Sequence, residues 1–217
     1  RRAEQAGAEV IVVTVDVLAR QNWETMTRLW RTDTASCGSC HGAGLTSFLR
    51  RKPNFADLDT SGLVSTGAIR LTWEFLQRLR DIVKTRIVVK GILTAEDAIL
   101  AVDNGLDAVV VSNHGGRAED SGRSTIDALP EIVEAVDGRI PVLIDSGFRR
   151  GTDIVKALAL GATAVCVGRP YLWGLGAFGQ AGVERVLDLL NQELRAAMMQ
   201  VGAPSLRHLT PAMVRRS

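Results

Sequence analysis

Ser112, Asn113, His114, Gly115, Gly116 and Arg117 follow directly on the apolar run Ala108 to Val111, and their types and spacing suit chemistry on a small carboxylate. An imidazole titrates near neutral pH and can take or return a proton, while a guanidinium is a permanent cation whose planar fork matches two carboxylate oxygens. Other apolar runs also hand over to residues of chemical character: Asp16, Lys90, Asp145 and the pair Gly168-Arg169. Two late turns, residues 145–151 and Gly168-Arg169-Pro170, set arginine among glycines. That composition suits an anion held by backbone N–H groups and cations.

Such residues need elements to hold them, and the apolar pattern supplies candidates. Residues 9–16 are β-branched and nearly continuous, which predicts a strand buried on both faces. Similar runs at 86–90, 108–111, 140–144 and 162–167 predict four more strands. Helical patterns lie between them at 72–84, 94–102, 126–136 and 151–160, with Thr94 suited to an N-cap and Gly105 and Gly161 to C-terminal caps. Repeated βα units imply parallel strands, so the candidates are a doubly wound sheet or a (β/α)8 barrel. No G-x-G-x-x-G follows Asp16, and polar residues stand at the C-terminal end of every strand, which favours the barrel. The expected fold is α/β, the C-terminal five βα units of a TIM barrel without its first strands. The opening residues 1–7 read as the end of a helix entering a strand, with no apolar leader.

Composition sets outer limits. A net charge of +2 over 217 residues, with 46% hydrophobic and 23% charged, describes a globular chain with no nucleic-acid or acidic partner implied. The longest apolar runs, 10–15 and 162–167, fall far short of the roughly 20 residues of a membrane span.

Val89-Lys90-Gly91-Ile92, residues 112–117, residues 145–151 and Gly168-Arg169-Pro170, in this order and spacing, resemble the FMN-dependent α-hydroxy-acid oxidising enzymes, the family of glycolate oxidase, lactate dehydrogenase and mandelate dehydrogenase. The resemblance runs from about residue 6 to 199. It implies FMN as cofactor and oxidation of a small 2-hydroxy acid of lactate, glycolate or mandelate type to the 2-oxo acid. His114 would be the base and Asp16 its orienting carboxylate. Arg117 would hold the substrate carboxylate, with Arg20 as a second arginine and Arg28 and Arg31 as competitors for that place. Lys90 would stand at the flavin N1 and O2 edge, and Thr14 and Ser112 at the ring. Asp145, Ser146, Gly147, Phe148, Arg149, Gly168 and Arg169 would take the ribityl chain and phosphate. Oxygen, a quinone or a protein would accept the electrons, in a cytoplasmic homo-oligomer. The alternatives are another FMN-barrel enzyme, an isomerase or nucleotide dehydrogenase, and a truncated half barrel without activity of its own.

Residues 17–67 depart from that family pattern and read as an active-site loop or lid inserted in a single barrel domain. Within it, Cys37-Gly38-Ser39-Cys40-His41 matches the C-x-x-C-H haem-attachment pattern. A lid feature or reversible disulfide is the favoured reading over metal binding or haem, and no metal site is assigned. Cys166 reads as a small buried hydrophobe in a strand, and 183–199 as the closing helix.

Overall fold

The computed structural model describes residues 1–17, 24–34, 44–63, 71–118 and 121–215. Arg20, Cys37, Cys40 and His41 lie outside them. In chain order the elements are α1 (Arg2–Gln5), β1 (Val10–Thr14), α2 (Glu24–Thr32), α3 (Leu45–Arg50), α4 (Trp73–Ile82), β2 (Arg86–Ile92), α5 (Ala95–Asp103), β3 (Ala108–Val111), α6 (Thr125–Val136), β4 (Val142–Ile144), α7 (Gly151–Ala159), β5 (Ala164–Val165) and α8 (Arg169–Gln200). The chain divides into two compact units, residues 1–17 with 72–217, and residues 18–71.

In the first unit five parallel strands pair in sequence order, β1-β2-β3-β4-β5, with helices between consecutive strands. This is the βα repeat of a barrel wall. Local chemistry starts the helices: the hydroxyls of Thr72, Thr94 and Ser124 accept the N–H of Phe75, Asp97 and Asp127, each filling an otherwise unpaired helix donor. The main core lies between sheet and helices, where Ile87, Val89, Val109, Val111 and Ile144 meet Leu129, Ile132 and Val136. Each fully buried aliphatic side chain there contributes roughly 1.5–3 kcal/mol. The opposite sheet face carries a smaller cluster, Val88, Ala108 and Val110.

Two expectations change. β1 is not buried on both faces: Ile11 and Val13 pack on the core, but Val10 and Val12 are exposed, because β1 is the sheet's edge and only its helix-side face is covered by described residues. β5 is two residues long, and Cys166, just beyond it, is exposed rather than buried in a strand.

α7 and α8 pack closely through Gly151, where a Cβ would stand 2.1 Å from the Leu194 backbone nitrogen. α8 breaks at Phe178 and Gly179, so the expected closing helix is its second half. The unit of residues 18–71 holds α2 and α3, helices where an irregular loop was expected, and Arg28 and Arg31 lie exposed on α2. No helix among the described residues is long and apolar enough to cross a membrane.

Candidate active site

The C-terminal ends of the strands bring the polar residues together. Thr14, Lys90, His114, Arg117, Asp145, Ser146, Gly147, Arg149, Gly168 and Arg169 line one cavity of about 570 Å³. That volume lies in the range of small-molecule and cofactor sites. Asp16 and Ser112 join it from behind. The His114 Nδ1 lies 3.1 Å from Asp16 Oδ1, and the Asp16 side chain is only 8% exposed against 32% for His114. A buried carboxylate thus backs an imidazole whose other nitrogen is left for a ligand. Asp16 Oδ2 is buried with no hydrogen-bond partner among the described residues.

Backbone geometry makes this contact. Between Lys90 and Ile92 the β2–β3 register slips by one, leaving Gly91 as a bulge with φ +116°. A Cβ on Gly91 would stand 2.7 Å from the Asp16 Cβ, so only glycine lets the carboxylate come this close. In the sequence Gly91 stands out only as part of the Val89-Lys90-Gly91-Ile92 motif, although a glycine beside a strand pattern also signals a bulge or close approach.

Lys90 Nζ is held between two strand ends, 2.8 Å from the Ser112 hydroxyl and 3.2 Å from Asp145 Oδ2. Ser112 is fully buried, and its oxygen also accepts the His114 N–H at 3.1 Å. His114 itself has φ +57°, unusual for a side chain of its size and of the kind that collects at functional sites. The Arg169 guanidinium donates to Gly115 O, tying the start of α8 to the histidine loop. Arg149 donates to Phe148 O at 2.7 Å and lies 5.1 Å from the centre of the Trp173 ring, a cation–π contact that the sequence did not reveal. Phe148 packs its ring into the core, 4% exposed, so its part in the site is a backbone one. Cys166 also lines the cavity; partial burial and the neighbouring Asp145 charge push its thiol above the ordinary value, against the opposing pull of Lys90.

A family model described as FMN-dependent dehydrogenase matches residues 1–216. The chain belongs to that FMN-dependent dehydrogenase family. A peroxisomal (S)-2-hydroxyacid oxidase of Arabidopsis thaliana is 43% identical over 217 residues, which cover 99% of this chain and 58% of the relative. Human 2-hydroxyacid oxidase 1 is 41% identical over 223 residues, 100% of this chain and 59% of the relative. Among solved structures, mandelate oxidase with (S)-2-phenylpropionate matches with a TM-score of 0.75 and 41% identity, over 97% of this chain and 56% of that one. A flavocytochrome b2 variant with pyruvate bound gives 0.79 and 31%, over 98% and 49%. This member of the family thus spans a little under three fifths of the curated relatives' length.

The family's cofactor is FMN, and the cavity fits it. Gly147 and Gly168 face open space, where a Cβ would meet nothing within 4 Å. The first turn of α8 has no side-chain cap, so its N–H groups and positive dipole end are left for an anion, with Arg149 and Arg169 beside it. The end of the other arginine turn is already filled: Gly151 N–H donates to Glu193 at 2.9 Å, and that bond, followed by Arg150, holds the Glu193 carboxyl below its usual range. The α8 end is therefore the better phosphate seat.

Proposed function

We propose that this chain oxidises a small 2-hydroxy acid to the 2-oxo acid, with FMN as its cofactor. The observation that carries the reading is the buried Asp16–His114 pair opening into the same cavity as Arg117 and Lys90. Bound FMN would supply the acceptor for the two electrons that leave the substrate carbon. The other steps fall to the protein. Arg117 binds the substrate carboxylate as a guanidinium fork and so orients the carbon that bears the hydroxyl. His114, with Nδ1 engaged by Asp16, takes the hydroxyl proton at Nε2, and the Asp16 charge stabilises the imidazolium that results. Lys90, which lines the same cavity, would supply a positive charge to stabilise negative charge on bound FMN as it takes up electrons.

The oxidase names of the relatives support oxygen as the electron acceptor, with a quinone or a protein as the alternative partner. The reading is tested with purified chain, FMN and lactate, glycolate or mandelate: the oxidised-flavin colour should bleach on mixing. His114→Ala should retain FMN and lose roughly 10³-fold in bleaching rate, the scale of a positioned general base. Undiminished bleaching in that variant overturns the assignment of the base.

A further inference from the structure

Ser146 occupies a backbone conformation that its neighbours leave to glycine. Its φ is +76°, and the next residue, Gly147, has φ +86°. A glycine at 146 would take this shape freely, whereas a serine is strained in it. Of the other non-glycine residues with positive φ, Asp57 and Asp137 are of a type that tolerates the left-handed region, and His114 is in the site itself.

The hydroxyl explains the residue. It donates to Asp145 Oδ1 at 2.7 Å and accepts the Gly115 N–H at 2.9 Å. Asp145 in turn meets Lys90, Lys90 donates to Ser112, and Ser112 accepts the His114 N–H. These bonds close a ring that begins and ends on the consecutive backbone amides of His114 and Gly115. Thr125, itself buried, holds the ring from outside by donating to Asp145 O at 2.7 Å.

We infer that Ser146 is a positioning residue for the loop that bears the base, not a donor to the cofactor. Its one proton is directed to Asp145, and its oxygen fastens Gly115 to the Lys90–Asp145 pair. The strained φ persists because the hydroxyl fixes His114 over the cavity. This rests on the reading of His114 as the base.

Two variants separate the possibilities. Ser146→Gly removes the hydroxyl and relieves the backbone, and Ser146→Ala removes the hydroxyl and keeps the strain. Both should speed hydrogen exchange of the Gly115 amide by roughly tenfold, the scale of one lost hydrogen bond. At saturating FMN both should lower kcat by roughly tenfold or more while KM and FMN affinity stay within about threefold, the split of a misplaced base. Ser146→Gly should unfold at a temperature no lower than Ser146→Ala. A fall in FMN affinity with kcat preserved would return the hydroxyl to the cofactor, and an unchanged Gly115 exchange rate would break the proposed tie. If the parent chain oxidises no 2-hydroxy acid, the functional reading fails, and the Gly115 measurement still decides the tie.

Discussion

Among the described side-chain hydrogen bonds, those within residues 18–71 are local, whereas the barrel unit also has bonds between distant segments. Within residues 18–71, Thr32 bonds Leu29 O, Arg51 bonds Ser47 O and Ser61 bonds Asp59, each within four residues along the chain. In the barrel unit the corresponding bonds run from Asp16 to His114, from Lys90 to Ser112, from Gly115 to Ser146 and from Arg169 to Gly115. A local bond fixes a turn. A bond between distant segments fixes one piece of backbone against another, and only the second kind can hold several groups in the geometry a reaction needs.

The sharpest way to break this contrast is at Gly91. Gly91→Ala puts a Cβ against Asp16 at a positive φ, so kcat should fall about 100-fold through displacement of the carboxylate behind His114. Steady-state kinetics with FMN saturating would show it, and a kcat within about twofold of the parent would mean that the bulge does not set the Asp16–His114 contact.

A smaller effect is expected at Asp107, which joins two segments on the far side of the unit. Burial raises its carboxyl, but the Arg80 guanidinium and the Ile87 N–H outweigh that and leave it below the ordinary 3.8. A lowered folded value gives stability that is present above the unfolded value and lost as pH falls through the folded one. The side chain is 35% exposed, so screening holds the ion-pair part to under about 1 kcal/mol. Asp107→Asn should therefore cost stability at neutral pH, and the difference from the parent should close in denaturant titrations below pH 3.8. A gap that is unchanged in acid would assign the effect to packing.

Least of all should change in the local network. Thr32→Ala removes an exposed bond to Leu29 O and should alter stability by no more than about 0.5 kcal/mol, with kcat unchanged. A loss of activity there would assign Thr32 a part in the reaction.

What was legible in the sequence follows the same division. Lys90, His114, Asp145 and Arg169 could be placed because β-branched runs mark buried strands and the first polar residue marks the exit from each. Gly91 and Ser146 were named within motifs, but the parts now given to them were not legible, since these rest on a register slip and a left-handed φ that composition does not display. Cys166 misled because a cysteine in an apolar run looks buried, while β5 in fact ends before it. The exposed face of β1 was hidden for a related reason: valine has the same strand preference whether or not anything covers it.

The order of the strands also bears on how the site is assembled. From β2 to β5 each strand meets its successor across a single intervening helix, but β1 must reach β2 across residues 15–85. Loop-closure entropy rises by about 0.6 kcal/mol for each doubling of the loop, and contacts distant in sequence are slow to form. His114 can therefore be set on its loop by short closures, whereas Asp16 arrives only with the longest one. The imidazole thus depends for its carboxylate on the longest loop closure in the described sheet, and the site as a whole on the most costly connection of its wall.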